Sequence, residues 1–178
     1  MPHIDLSNDL PGIVGLMAFR PETAGPLNAL AETLLRDDNS LTRGEREAIA
    51  AYVSFLNECR FCERSHSAFA AHQLEGGYDV VDSIKRDPRE ASVSPRLRAL
   101  LEIARSVQRS GRDVTEADIE AARAAGATDV EIHDTVLIAA AFCMYNRYVD
   151  GLATWAPEPR EAYDEMAEII VTNGYGPR

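Results

Sequence analysis

Residues 41–66 read LTRGEREAIAAYVSFLNECRFCERSH and carry the start of one helix and the junction with the next. Thr42 followed by Glu45 is the pattern of a capping box, which ties off the free N–H groups at a helix start. Ile49, Tyr52, Val53 and Leu56 then recur at helical spacing and form one apolar stripe. Asn57 interrupts this run and reads as the cap of a further helix, Glu58 to Leu74, which Gly76 and Gly77 close.

The same period governs the rest of the chain. Pro21 and Glu22 open a helix through Leu27, Leu30, Leu34 and Leu35, which the polar run Asp37 to Ser40 ends. A short segment lies near Asp79–Lys85. Ser94 and Pro95 then start a helix with Leu97, Leu100, Leu101, Ala104 and Val107 inward. Thr115 and Thr128 begin two more, and the second, apolar on every side around Val136–Met144, is expected to be the surrounded central helix. A last helix runs from about Pro159 to Val171. Alternating Val, Ile and Thr runs are absent, so the expectation is an all-α bundle of about seven or eight helices. It forms one domain over residues 1–178, with an irregular arm at 1–20 and a loose tail at 172–178.

At 178 residues and 46% hydrophobic, the chain can bury a core without disulfide or metal staples. Its net charge of -11 disfavours nucleic acid and anionic membrane surfaces as partners. The first twenty residues lack the basic start and apolar block of a secretory signal, and the apolar stretch Val136–Tyr145 is too short to span a bilayer. A cytoplasmic protein is expected.

Three cysteines cannot all pair among themselves, and Cys59 and Cys62 stand too close in sequence to staple distant parts of a fold. On one helix, Cys59, Cys62 and His66 fall within a sector of about 60°, whereas His72 points elsewhere. With Asn57 as cap, Cys59 would lie in the first turn, where free N–H groups and the helix dipole favour a thiolate. Arg60 and Arg64 add positive charge, and His66 is placed to move a proton. The pattern alone leaves three readings open: redox chemistry, half of a zinc site, or two small buried residues. Zinc needs four ligands, and only Cys143, Glu47 and distant histidines remain to supply them.

Glu47, Cys59, Cys62 and His66 together resemble the glutamate, C-x-x-C-x-x-x-H pattern of the AhpD-like, or carboxymuconolactone decarboxylase-type, family. The likeness is greatest to its peroxidase-related branch, which the stretch Phe142 to Gly151 also resembles. The resemblance implies a thiol-dependent alkylhydroperoxidase or disulfide reductase, an antioxidant oxidoreductase that needs no cofactor and no metal. Its partners would be a hydroperoxide or disulfide and an external thiol reductant, and it would form a homo-oligomer, trimer or hexamer. Glu47 and His66 would form the proton relay. The family gives the attacking role to the second cysteine, here Cys62, while the dipole argument favours Cys59. AhpD proper has a histidine immediately before that second cysteine, where this chain has Phe61. A zinc-binding or non-redox oligomeric member of the superfamily is the alternative.

Cys143 reads as a buried, inert residue. Asn146, Arg147 and Asp150, at the end of an apolar helix, read as a structural or subunit contact or as a lining of the pocket. His133 and Asp134 read as surface residues, and Trp155 and Pro157 as packing residues.

Overall fold

Nine α-helices make up the computed structural model, which describes residues 1–176: α1 (Gly12–Phe19), α2 (Pro21–Arg36), α3 (Arg43–Leu56), α4 (Arg60–Ala71), α5 (Gly77–Arg86), α6 (Pro95–Arg109), α7 (Glu116–Ala124), α8 (Asp129–Gly151) and α9 (Glu161–Asn173). A single 3-10 turn, Gly111–Asp113, joins α6 to α7, and no strand occurs among the described residues. Among these residues no helix is long and apolar enough to cross a membrane.

Side-chain caps set four of the nine helix starts. Capping boxes open α3 at Thr42/Glu45, α7 at Thr115/Asp118 and α8 at Thr128/Glu131. Ser94 accepts from the Leu97 N–H at 3.1 Å to open α6, with Pro95 in its first turn. Such caps are worth about 1 kcal/mol each.

The helix at the centre is α3, and the expectation that α8 is fully surrounded does not hold. Every residue of α3 from Arg46 to Ser54 is buried. Ala48, Ala50 and Ala51 let neighbours approach from several sides, and its charged pair is buried because it is partnered: Arg46 donates to the Leu34 carbonyl at 3.1 Å. On α8, Leu137 and Met144 remain 38% and 44% exposed, so one flank of that apolar helix faces outward.

The main core joins α2, α3, α6 and α8, with Leu35, Ile49, Leu100, Leu101, Ile103 and Ile138 fully enclosed. Burying such side chains contributes about 1.5–3 kcal/mol apiece. A smaller cluster of Cys59, Phe61, Cys62, Phe69, Val149, Tyr163 and Ala167 holds α4 against α9 and the end of α8.

Both ends of the chain are more ordered than the patterning suggests. The supposed irregular arm contains α1, which begins at Gly12, whose N–H donates to the Trp155 carbonyl at 2.9 Å. The supposed loose tail begins inside α9, which runs to Asn173: Gly174 then ends the helix at φ +79, and Tyr175 turns inward to bond Glu47. The last two residues of that expected tail lie outside the described residues.

Candidate active site

The turn between α3 and α4 sets the positions of the two cysteines. Asn57 ends α3, and Glu58 takes a left-handed φ of +58, rare for a residue with a side chain. Cys59 therefore is the N-cap of α4 itself, and neither a cap at Asn57 nor a helix beginning at Glu58 is found. Its N–H donates to the Ser54 carbonyl at 3.1 Å and its carbonyl accepts from Glu63 at 2.9 Å. Cys62 is the residue inside the first turn, so the dipole argument made for Cys59 applies at least as well to Cys62. Both thiols are free and buried. The hydrogen bond to Cys62 and then burial push the Cys59 thiol far above its ordinary range.

Across the turn, α3 brings Glu47 against α4. Its carboxylate is buried, and its two oxygens have different partners: Oε2 meets His66 Nδ1 at 2.7 Å, and Oε1 accepts from the Tyr175 hydroxyl at 2.6 Å. A carboxylate at Nδ1 places the proton of a neutral ring there and leaves Nε2 as its basic nitrogen. The ring is further fixed by Phe142, edge-on with centroids 4.5 Å apart, and by Phe69 at 5.1 Å. Tyr175 lies nearly parallel to it at 6.3 Å.

Cys62 and His66 line one cavity of about 750 Å³; Cys59 does not. Ile13, Met17, Leu27, Phe69, Phe142 and Met166 make much of its wall, and among the described residues no Lys, Arg, Asp or Glu lines it. Phe61 is part of the same wall. It packs 6.1 Å from Tyr163 and stands so close to Gly12 that a Cβ there would fall 2.2 Å from the ring. A smaller cavity of about 220 Å³, lined by Glu63, Arg64, Lys85 and Arg160, lies on a polar face.

The model of the carboxymuconolactone decarboxylase family matches residues 21–76. A solved alkylhydroperoxidase AhpD core, an uncharacterized peroxidase-related protein from Ralstonia eutropha JMP134, is 30% identical over 89% of this chain and 81% of its own, with a TM-score of 0.78. The chain belongs to the carboxymuconolactone decarboxylase family. An uncharacterized peroxidase-related protein from Silicibacter sp. TM1040 is similar at 28% identity, covering 86% of this chain and 78% of that one, with a TM-score of 0.77. No match was found among curated proteins.

The carboxymuconolactone decarboxylase match spans Glu47, Cys59, Cys62 and His66 but not Gly12, Phe142 or Tyr175, which complete the surroundings of the site. Tyr175 was not singled out by its sequence neighbourhood as a site residue. The available signal was an aromatic between two glycines at 174 and 176, a pattern that suits a chain turning back into a crevice.

Other predicted residues are placed elsewhere. Asn146 does not line the cavity: it is buried, donates to Ser54 Oγ at 3.1 Å and accepts from Asn57 at 2.8 Å. Gln108 extends that network to Asn57 at 2.9 Å. Arg147 is exposed and donates to the Cys143 carbonyl at 2.9 Å. Asp150 also lies outside the cavity, beside Cys59. The residue is exposed overall, but its carboxyl end is partly sunk; burial pushes its pKa up, and the hydrogen bond from Cys59 draws it partly back. Cys143 is only half-buried, 3.5 Å from Asn57 Nδ2. His72 and His133 are exposed and paired with Asp164 and Asp134. Trp155 donates to the Asp9 carbonyl at 3.1 Å. Among the described residues no three His, Cys, Asp or Glu side chains converge as a metal site would require.

Proposed function

We propose that the protein reduces organic hydroperoxides with Cys62 as the attacking thiolate and Cys59 as the resolving thiol. The observation that carries this reading is the placement of Cys62 and His66 on one apolar cavity, with His66 held by a buried carboxylate and Cys59 in contact behind. The family membership and the peroxidase-related descriptions of its structural neighbours support it.

His66, through Nε2, accepts the Cys62 proton. The thiolate attacks the terminal peroxide oxygen, the O–O bond breaks, and the departing alkoxide takes a proton from the imidazolium to leave as an alcohol. Cys62 becomes a sulfenic acid. Cys59 then attacks that sulfur and loses its proton, water leaves, and a Cys59–Cys62 disulfide forms. An external dithiol returns two electrons and two protons, restoring both thiols and becoming a disulfide itself. The raised Cys59 thiol suits the second step, because it remains protonated while Cys62 reacts and is deprotonated as the new bond forms. Phe61 leaves His66 as the one histidine of the relay on this wall and makes the wall apolar, which favours an organic hydroperoxide over hydrogen peroxide.

The test is to treat the reduced protein with cumene hydroperoxide and map its thiols by mass spectrometry. The expected product is a Cys59–Cys62 disulfide in the wild type, a trapped sulfenic acid on Cys62 in Cys59→Ser, and no oxidation of Cys59 in Cys62→Ser. Absence of the disulfide under every oxidant refutes the cycle. Full turnover by both serine variants refutes it equally.

A further inference from the structure

We infer that Tyr175 is a positioning residue of this site: its hydroxyl holds the Glu47 carboxylate in the orientation from which His66 takes the proton of Cys62. The inference rests on the peroxidase reading above for the identity of the proton, and on geometry for everything else.

A carboxylate buried in an apolar setting must have its oxygens satisfied, and one held by a single partner can rotate about its own bond. Glu47 has two partners on opposite oxygens, His66 Nδ1 at 2.7 Å and the Tyr175 hydroxyl at 2.6 Å. The hydroxyl can only be the donor to that carboxylate. It remains protonated because burial first, and then the neighbouring Glu47 charge, hold the phenol well above its ordinary range. Hydrogen bonding to the charged form of an acid makes it a weaker base. Tyr175 therefore both fixes the direction of the Glu47 carboxylate and limits how strongly it draws a proton onto His66.

The segment bearing Tyr175 is built to hold it there. The Tyr175 N–H donates to Glu32 Oε2 at 2.6 Å. Arg36 bonds Glu32 at 3.2 Å and reaches the Ile170 and Val171 carbonyls at 3.0 and 3.1 Å, tying α2 to the end of α9. Gly174 turns the chain at φ +79, where an L side chain is strained, and a Cβ there would meet Glu32 Oε2 at 2.5 Å and push that carboxylate from its place. The titratable groups bonded to Tyr175 or to its partner are Glu32 on α2, Glu47 on α3 and His66 on α4, with Arg36 behind Glu32, and Cys62 and Tyr145 line the same cavity.

A packing role and a positioning role diverge in Tyr175→Phe, which keeps the ring and removes the hydroxyl. The experiment measures the His66 imidazole titration by NMR, and in parallel the rate of Cys62 oxidation by cumene hydroperoxide from acid to alkaline pH. With the donor gone, Glu47 becomes the stronger base and stabilises the imidazolium. The His66 midpoint should therefore rise and the acid limb of the rate profile should move up with it. At the acid end the variant should react roughly five- to tenfold more slowly than wild type, with the alkaline rate much less affected. Should the variant not fold by circular dichroism, Glu32→Gln, which weakens the hold on the Tyr175 N–H, should shift both readouts in the same direction by less. An unmoved His66 midpoint in the folded variant overturns the inference. A wild type that never reacts with peroxide, but whose His66 still moves in Tyr175→Phe, removes the peroxidase reading and leaves the hold of Tyr175 on the pair intact.

Discussion

Gly12→Ala is a small change with a large expected consequence, because two independent penalties meet at that residue. Its backbone is left-handed, φ +52, where any L side chain costs about 1–2 kcal/mol. The new Cβ would also lie 2.2 Å from Cγ and Cδ1 of Phe61 and 2.5 Å from Cε1, so the ring must swing away from Tyr163 and the cavity wall. Forcing a packed ring out of place adds about 1–3 kcal/mol. The sum, about 2–5 kcal/mol, is a large part of the roughly 5–15 kcal/mol that holds a domain folded. Urea denaturation of Gly12→Ala, Phe61→Ala and the double variant separates the two parts. In the Phe61→Ala background only the backbone penalty remains, so the cycle should return a coupling of about 1–3 kcal/mol. A coupling below about 0.5 kcal/mol would mean that the ring and the glycine are not in conflict, and the reasoning would fail.

Asn146→Ala removes a buried amide that joins Ser54 to Asn57, and it should lower unfolding stability by about 2–3 kcal/mol in urea titrations; a loss within experimental error would show that water replaces the amide. Glu131 is fully enclosed. Burial alone would raise its carboxyl, but hydrogen bonds from Thr128 and Ser40 and the charge of Arg96 outweigh it and hold the group below its ordinary value. A depressed folded value means that this contribution is complete above the ordinary carboxylate range and fades as pH falls through the lower folded value. The urea midpoint of wild type should therefore decline more steeply on acidification than that of Glu131→Gln, and equal slopes would contradict the assignment.

The caps and the apolar period are local signals, which is why Thr42, Ser94, Thr115 and Thr128 open helices where the sequence suggests. What surrounds a helix is not a local property. Val136–Met144 looks enclosed because it is apolar, yet Leu137 and Met144 face outward. The plainly amphipathic α3 is enclosed because Glu47 finds a partner 128 residues away in Tyr175 and Arg46 finds one in the Leu34 carbonyl of α2. The start of α4 departs from the expected one for a related reason: Asn57 is a good cap by residue type, but its side chain is engaged by Asn146 and Gln108, and the left-handed Glu58 moves the cap to Cys59. Cys62 and His66, one helical turn apart, could be set on one face from spacing alone. Tyr175 could not be, since its contact with Glu47 spans 128 residues and depends on how α9 ends.

The left-handed residue at Glu58 also explains why the distance along the chain between Glu47 and His66 matters. They are 19 residues apart and pivot on a hinge near Asn57, so each stands about as far from the fold-back as the other. Adding or removing one residue at the hinge would rotate α4 by about 100° against α3 and swing the imidazole off its carboxylate. Length variation in homologous chains should therefore collect in outer connections such as the one between α5 and α6, and spare this corner. The fixed interval in the linear motif is the trace left by a hairpin whose two arms must stay in phase.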